Sequence, residues 1–287
     1  MEKVINVPSK VENNIIGFSF LTNLFNETEE LENTRIILEF KNTRWFEANL
    51  VAVLGAWIEI QRSKKNSVAL SRVSNSIRRV FMKNGFYEHY KLGSEFDVFD
   101  STIAYKIFKS NEHDIFIKYV KENVMPKIRL QVDAKVAKGF ITSLGEIFIN
   151  VKLHADSEKV ITCGQYYHTH KKVCFTIVDI GKTIGDNVKL KLGNPYLDDY
   201  EAIDWATQYG NTTRENDEFG GIGLHIIGEF LEKNGGVFQI ISGNGYWEKA
   251  GSYIFKEELN SYFPGTIVNI QSSLEHTLED ESLLIYF

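Results

Sequence analysis

The order of periodic segments changes part-way along this chain, and that change limits the fold more than any single motif does. Up to about residue 90, short β-like runs alternate with helix-like ones. Residues 14–20 read as a short strand, 35–40 as a stronger one and 68–70 as another, while 48–60 is an apolar stretch long enough for a buried helix. Residues 74–84 begin with a Ser74 cap and stop at Gly85. Strands separated by helices predict a small α/β layer structure. Residues 88–130 are transitional: 102–108 reads as a strand, and 114–125 as a helix that Pro126 ends. From there the order is a long helix (134–154), a hairpin (160–167 and 173–178), a loop-rich stretch (182–219), a helix (223–234) and strands that include 237–242 and 266–271. That is a layer of helices on a mixed sheet. The expected fold class is α/β throughout, in two domains divided at 1–110 and 111–287.

Composition excludes whole classes. At 43% hydrophobic and 24% charged residues, disordered, collagen-like and coiled-coil chains are ruled out. Lys plus Arg is 32 against 38 for Asp plus Glu, a net charge of -6. A protein that grips phosphate backbones needs a basic surplus, so no nucleic acid is expected as a partner. Cys163 and Cys174 cannot build a disulfide framework and suit a reducing compartment. The first residues, Met1-Glu2-Lys3-Val4-Ile5-Asn6, lack the apolar core of a signal peptide. No apolar run approaches the ~20 residues of a membrane span, so no membrane is expected and the chain is read as cytoplasmic.

Four stretches in the second part carry chemistry. Glu146, Asn150 and His154 are spaced four apart on the long helix, opposite an apolar stripe of Ile141, Leu144, Ile147, Phe148 and Val151. The carboxylate and carboxamide oxygens suit a hydrated magnesium ion or a positioned water, although a solvated helix face gives the same pattern. Next, the apolar run 173–178 ends in Asp179-Ile180-Gly181. A carboxylate there can accept from an exocyclic amine such as that of adenine, and Gly181 allows a backbone turn beneath a flat base. Third, Gly220-Gly221-Ile222-Gly223-Leu224 opens a helix, where free amides attract anions. It is neither a Walker loop nor a dinucleotide fingerprint. Fourth, in Pro264-Gly265-Thr266, Thr266 begins a strand and adds a hydroxyl.

Together, in this order, the four resemble the ATP-binding domain of the GHKL superfamily, which includes gyrase-type topoisomerases, chaperones, histidine kinases and MutL-type repair proteins. Glu146, Asn150, His154 and Ala155 resemble its N box, Asp179-x-Gly181 its first glycine box, Gly221-Ile222-Gly223-Leu224 its second, and Gly265-Thr266 its terminal pair. The resemblance covers about residues 112–271. It implies a Bergerat fold, an α/β sandwich binding ATP and Mg2+ beneath a lid. By that likeness Asn150 binds magnesium, with His154 beside it, and Glu146 orients or deprotonates the attacking water. Asp179 holds the adenine amine, and Gly221 and Gly223 cradle phosphates. Family members usually read Asp-x-Gly-x-Gly in the first box, whereas here Lys182-Thr183 follows Gly181 and the next glycine is Gly185. Thr183 thus stands at the expected lid hinge, which puts tight closure and turnover in question. Residues 201–213 lie where the lid belongs and resemble that of a largely uncharacterised bacterial group of ATP-binding proteins; there Thr212, Thr213 and Arg214 are phosphate candidates.

The first part, about residues 10–90, resembles a STAS domain, the fold of anti-sigma-factor antagonists. Such antagonists present a serine at a helix start, but Trp45-Phe46-Glu47-Ala48-Asn49-Leu50 carries no hydroxyl. A docking or regulatory module is expected instead, contacting a protein partner or its own ATPase half; a homodimer is the other partner left open. His168-x-His170 reads as surface histidines of a turn, and the acidic then apolar tail, 275–287, as a docked terminus. Three functions compete: a slow ATPase used as a nucleotide-controlled switch, an anti-sigma-type serine kinase, and a non-catalytic nucleotide-binding module.

Overall fold

The computed structural model describes residues 2–128, 134–213 and 223–273. Its front part runs β1 (Glu2–Asn6), β2 (Lys10–Val11), α1 (Ile15–Glu27), β3 (Arg35–Glu39) and β4 (Trp45–Phe46). A 3-10 turn (Ala48–Leu50) then leads into α2 (Val51–Ser63), β5 (Ser67–Ser71), α3 (Asn75–Lys83) and the short α4 (Phe86–His89). β1, β3 and β5 pair in parallel in that order, and β2 pairs with β4. Residues 14–20, expected as a strand, instead cap and begin α1. The Asn14 side chain accepts the Gly17 amide at 2.9 Å, and Phe18, Leu21, Thr22 and Phe25 recur at helical spacing and are buried.

The chain continues through β6 (Thr102–Lys109), α5 (His113–Tyr119), a π-helical turn (Val120–Val124), α6 (Met125–Ile128) and α7 (Ala134–Asn150), which ends in a second π-helical turn (Val151–Ala155). Then come the hairpin of β7 (Lys159–Tyr167) and β8 (Lys172–Ile180), α8 (Ile184–Leu192), α9 (Asp199–Thr207), α10 (Gly223–Lys233), and the long hairpin of β9 (Val237–Ala250) and β10 (Tyr253–Ser273). These strands form one sheet in the order β6-β7-β8-β10-β9. All of its pairings are antiparallel, not mixed. β6 belongs to this sheet as an edge strand, although it precedes the expected division at residue 110. Pro126 does not end its helix; it sits in α6 directly after a π-helical turn, where the ladder of i→i−4 bonds is already interrupted. The stretch 182–219, expected as loop, contains α8 and α9. No helix among the described residues is long and apolar enough to cross a membrane.

The architecture is α/β, and the five-stranded sheet is covered on both faces because strand side chains alternate. Phe175 and Ile177 of β8, with Val268 and Ile270 of β10, enter a core with Phe116, Leu144, Phe148, Ile227 and Leu231 of α5, α7 and α10. One residue out of phase, Val178 and Ile267 enter another core with Phe18, Leu21, Leu54 and Trp57 of α1 and α2 and with Ile36 and Leu38 of β3. The Trp57 indole donates to Leu24 O and Thr28 Oγ1, both at 3.0 Å, tying α2 to α1. Cys163 and Cys174 are buried and not disulfide-bonded.

A polar seam crosses the junction of the two parts. Asn49 is fully buried before α2, and its Nδ2 lies 2.7 Å from Asn13 Oδ1, 2.8 Å from Thr176 Oγ1 on β8 and 2.9 Å from Asn269 Oδ1 on β10. Asn269 in turn donates to Gln239 Oε1 at 2.6 Å, and the Ala48 amide donates to the Tyr167 hydroxyl at 3.2 Å. The helix start that lacks a serine is therefore pressed against the sheet. Removing one member leaves buried partners unserved, at a cost of about 1–3 kcal/mol. Asn49→Ala should lower the unfolding free energy in urea by that amount while far-ultraviolet dichroism and tryptophan fluorescence still lose structure together. An unchanged unfolding curve would show that the seam carries no stability.

Candidate functional site

The alternation that places Ile177 and Val268 on the α7 side of the sheet also places Asp179 and Thr266 there, as a register pair of β8 and β10. They form part of the lining of a cavity whose empty space, counted out into the solvent at its mouth, is about 890 Å3. The end of α7 and its π-helical turn supply Ile147, Asn150, Val151 and His154. Lys182 comes just after β8, while α8 adds Ile184, Asn187 and Val188, and α9 adds Trp205 and Ala206. Asn211, Thr212 and Thr213 line it beyond α9, and Gly223 and Leu224 begin α10.

Asp179 dominates the electrostatics. It is buried, and its Oδ1 has no hydrogen-bond partner in the structure. Burial pushes its carboxyl up to about 8, with the Thr266 backbone amide the opposing influence. An unserved acceptor on the wall of a cavity costs free energy until a ligand donor reaches it.

Eight of the residues expected from sequence meet at this cavity: Asn150, His154, Asp179, Thr212, Thr213, Gly223, Leu224 and Thr266. His154 Nδ1 lies 3.0 Å from Thr213 Oγ1, so the π-helical turn holds the segment beyond α9. Thr266 Oγ1 lies 3.1 Å from Ser242 Oγ. Glu146 does not line the cavity; it is half-buried against the start of α10, where a Cβ at Gly223 would come within 2.5 Å of its Oε2. A straight helix would keep residues 146, 150 and 154 in one slowly drifting stripe, but the i→i+5 turn after Asn150 redirects residues 151–155. Gly181 also stands apart: a Cβ there would meet Ala155 O at 2.0 Å, so its bareness admits the end of α7. Thr183 is buried as the cap of α8. Its hydroxyl accepts the Asp186 amide at 3.0 Å, and the Asp186 carboxylate accepts the Thr183 amide at 2.9 Å. Gly221, Ile222, Arg214 and the tail 275–287 lie outside the described residues. His168 and His170 are exposed beside the β7–β8 turn, and no metal-binding cluster of His, Cys, Asp or Glu occurs among the described residues.

No protein-family model matches this sequence, and no curated protein compared with it is significantly similar.

Sequence reasoning missed the cover formed by α8 and α9. Its signals were the Thr183/Asp186 capping box and Gly193, which ends α8 in the left-handed conformation. Asp199 anchors this cover. Its carboxylate pairs with Lys189 at 2.6 Å and accepts the Asn244 amide at 2.8 Å. Cβ atoms at Gly185 and Gly243 would come within 2.2 and 2.1 Å of that carboxylate, and one at Gly245 within 2.6 Å of the Asp199 backbone.

The Asp179 carboxyl has a pH consequence. An unfolded aspartate titrates near 3.9, at about the pH where the folded group is still fully protonated. Stability from this group is complete below about pH 4 and is lost as pH rises through about 8. In ligand-free protein, the melting temperature of Asp179→Asn relative to wild type should climb steadily between those limits. A difference that stays constant with pH would mean that Asp179 titrates normally.

Proposed function

We propose that this chain is a magnesium-dependent ATP-binding protein, a slow ATPase of the GHKL type acting as a nucleotide-controlled switch, with a Bergerat-type second part and a STAS-like front part. The observation that carries the reading is the cavity that joins Asn150, Asp179, Thr266 and Gly223 from four separate elements, with an unserved buried carboxylate oxygen on its wall. An adenine amine supplies the missing donor. The apolar neighbours Ile177, Ile184, Val188 and Val268 suit the base, and Thr212, Thr213 and the start of α10 offer polar groups to phosphates. Magnesium takes few protein oxygens and keeps several waters, so the Asn150 carboxamide would suffice to hold it, and the ion would supply charge neutralisation to the phosphates. Glu146 is the base that orients or takes a proton from water.

The position of Glu146 favours a second reading. Glu146 is not among the residues that line the cavity and packs against Gly223 at the start of α10. On that reading the chain binds nucleotide without turning it over and serves as a regulatory module.

ATP with magnesium at a hundredfold excess over Kd should stabilise the folded chain by about 2.7 kcal/mol in a thermal titration. Phosphate release should disappear in Glu146→Ala while binding persists. Binding without release in the wild type would select the second reading, and no stabilisation by any nucleotide would reject both.

A further inference from the structure

The cavity is electrically lopsided. Asp179 gives its wall a buried acceptor that nothing serves. Lys182, an exposed residue three positions further along, is the single Lys or Arg among the described lining residues. The backbone around it is fixed: the Gly181 amide donates to Pro264 O at 3.1 Å, the Lys182 amide to Ala155 O at 2.7 Å, and Thr183 is held in the α8 capping box. Nearby Lys189 is committed to Asp199. Lys182 forms no ion pair with any described residue. An ammonium without an ion pair among the described residues, on a cavity with a buried acceptor, suits a ligand that carries both a hydrogen-bond donor and negative charge.

We propose that Lys182 is a specificity-determining residue, the cation by which this cavity holds the phosphate end of a nucleotide and discriminates against the uncharged nucleoside. The inference rests on the nucleotide reading above and adds a determinant to it. Lys182 fills the variable position of the expected glycine box, just before the Thr183 that departs from it. An ammonium on a flexible four-carbon stem tracks a phosphate as a point charge without demanding one geometry. Being exposed, it is screened, so its contribution falls as salt rises.

The test is calorimetry on the full chain with magnesium, using ATP, ADP and adenosine against wild type, Lys182→Gln and Lys182→Arg, at low and high salt. The Gln variant should lose roughly tenfold in affinity for ADP and ATP and stay within about twofold for adenosine. The Arg variant should remain near wild type, and the salt dependence of ADP binding should be shallower in the Gln variant. Matching melting temperatures would show that the Gln variant folds. Equal losses for adenosine and ADP, or no loss for ADP, would overturn the role of Lys182 and leave the nucleotide reading standing. If the wild type binds none of the three, that reading falls, and this inference with it.

Discussion

Where both faces of a sheet are covered, a polar side chain on a central strand costs free energy unless it finds a partner. β8 and the part of β10 that pairs with it, Gly265–Ser273, are such strands. On the front face Thr176 and Asn269 are satisfied by Asn49, which draws the first part of the chain onto the sheet. On the opposite face Asp179 is left with an unserved oxygen, and there the structure opens a cavity. One strand thus carries a closed polar junction on one side and an open one on the other. On one side the chain supplies the partners itself, and on the other an acceptor faces the cavity without one.

The helical side is shaped by departures from regular geometry. Two π-helical turns, at Val120–Val124 and Val151–Ala155, interrupt otherwise ordinary helices. The second sets His154 against Thr213, 3.0 Å away. Such turns add a residue to the helical circuit and change which side chains face a cleft, a small backbone change with a direct chemical effect.

Much of the architecture was legible, and the reasons differ by element. The α7 stripe, the β7–β8 hairpin and the Ser74 cap carry strong periodic or capping signals, and they stand where sequence places them. Residues 14–20 were misread because a short apolar run suits strand and helix alike until the Asn14 cap is weighed. α8 and α9 were missed because their lengths are modest and their surfaces polar, so periodicity was faint. In the site, the residues contributed by strand alternation and by α7 were readable. Asn187, Trp205 and Asn211 were not read as lining residues, since they reach the cavity only through the packing of the cover. The separation of Glu146 from the lining could not be read, because it follows from the packing of α10 against α7 at Gly223, which no local pattern encodes.

The Asp199 carboxylate stands where a Cβ would fall at Gly185 and Gly243, and the backbone at the start of α9 stands where one would fall at Gly245. A side chain at 185 or 243 therefore asks the acid to give way, and one at 245 asks the helix to move, so the roof over the cavity and the rim of the sheet constrain each other.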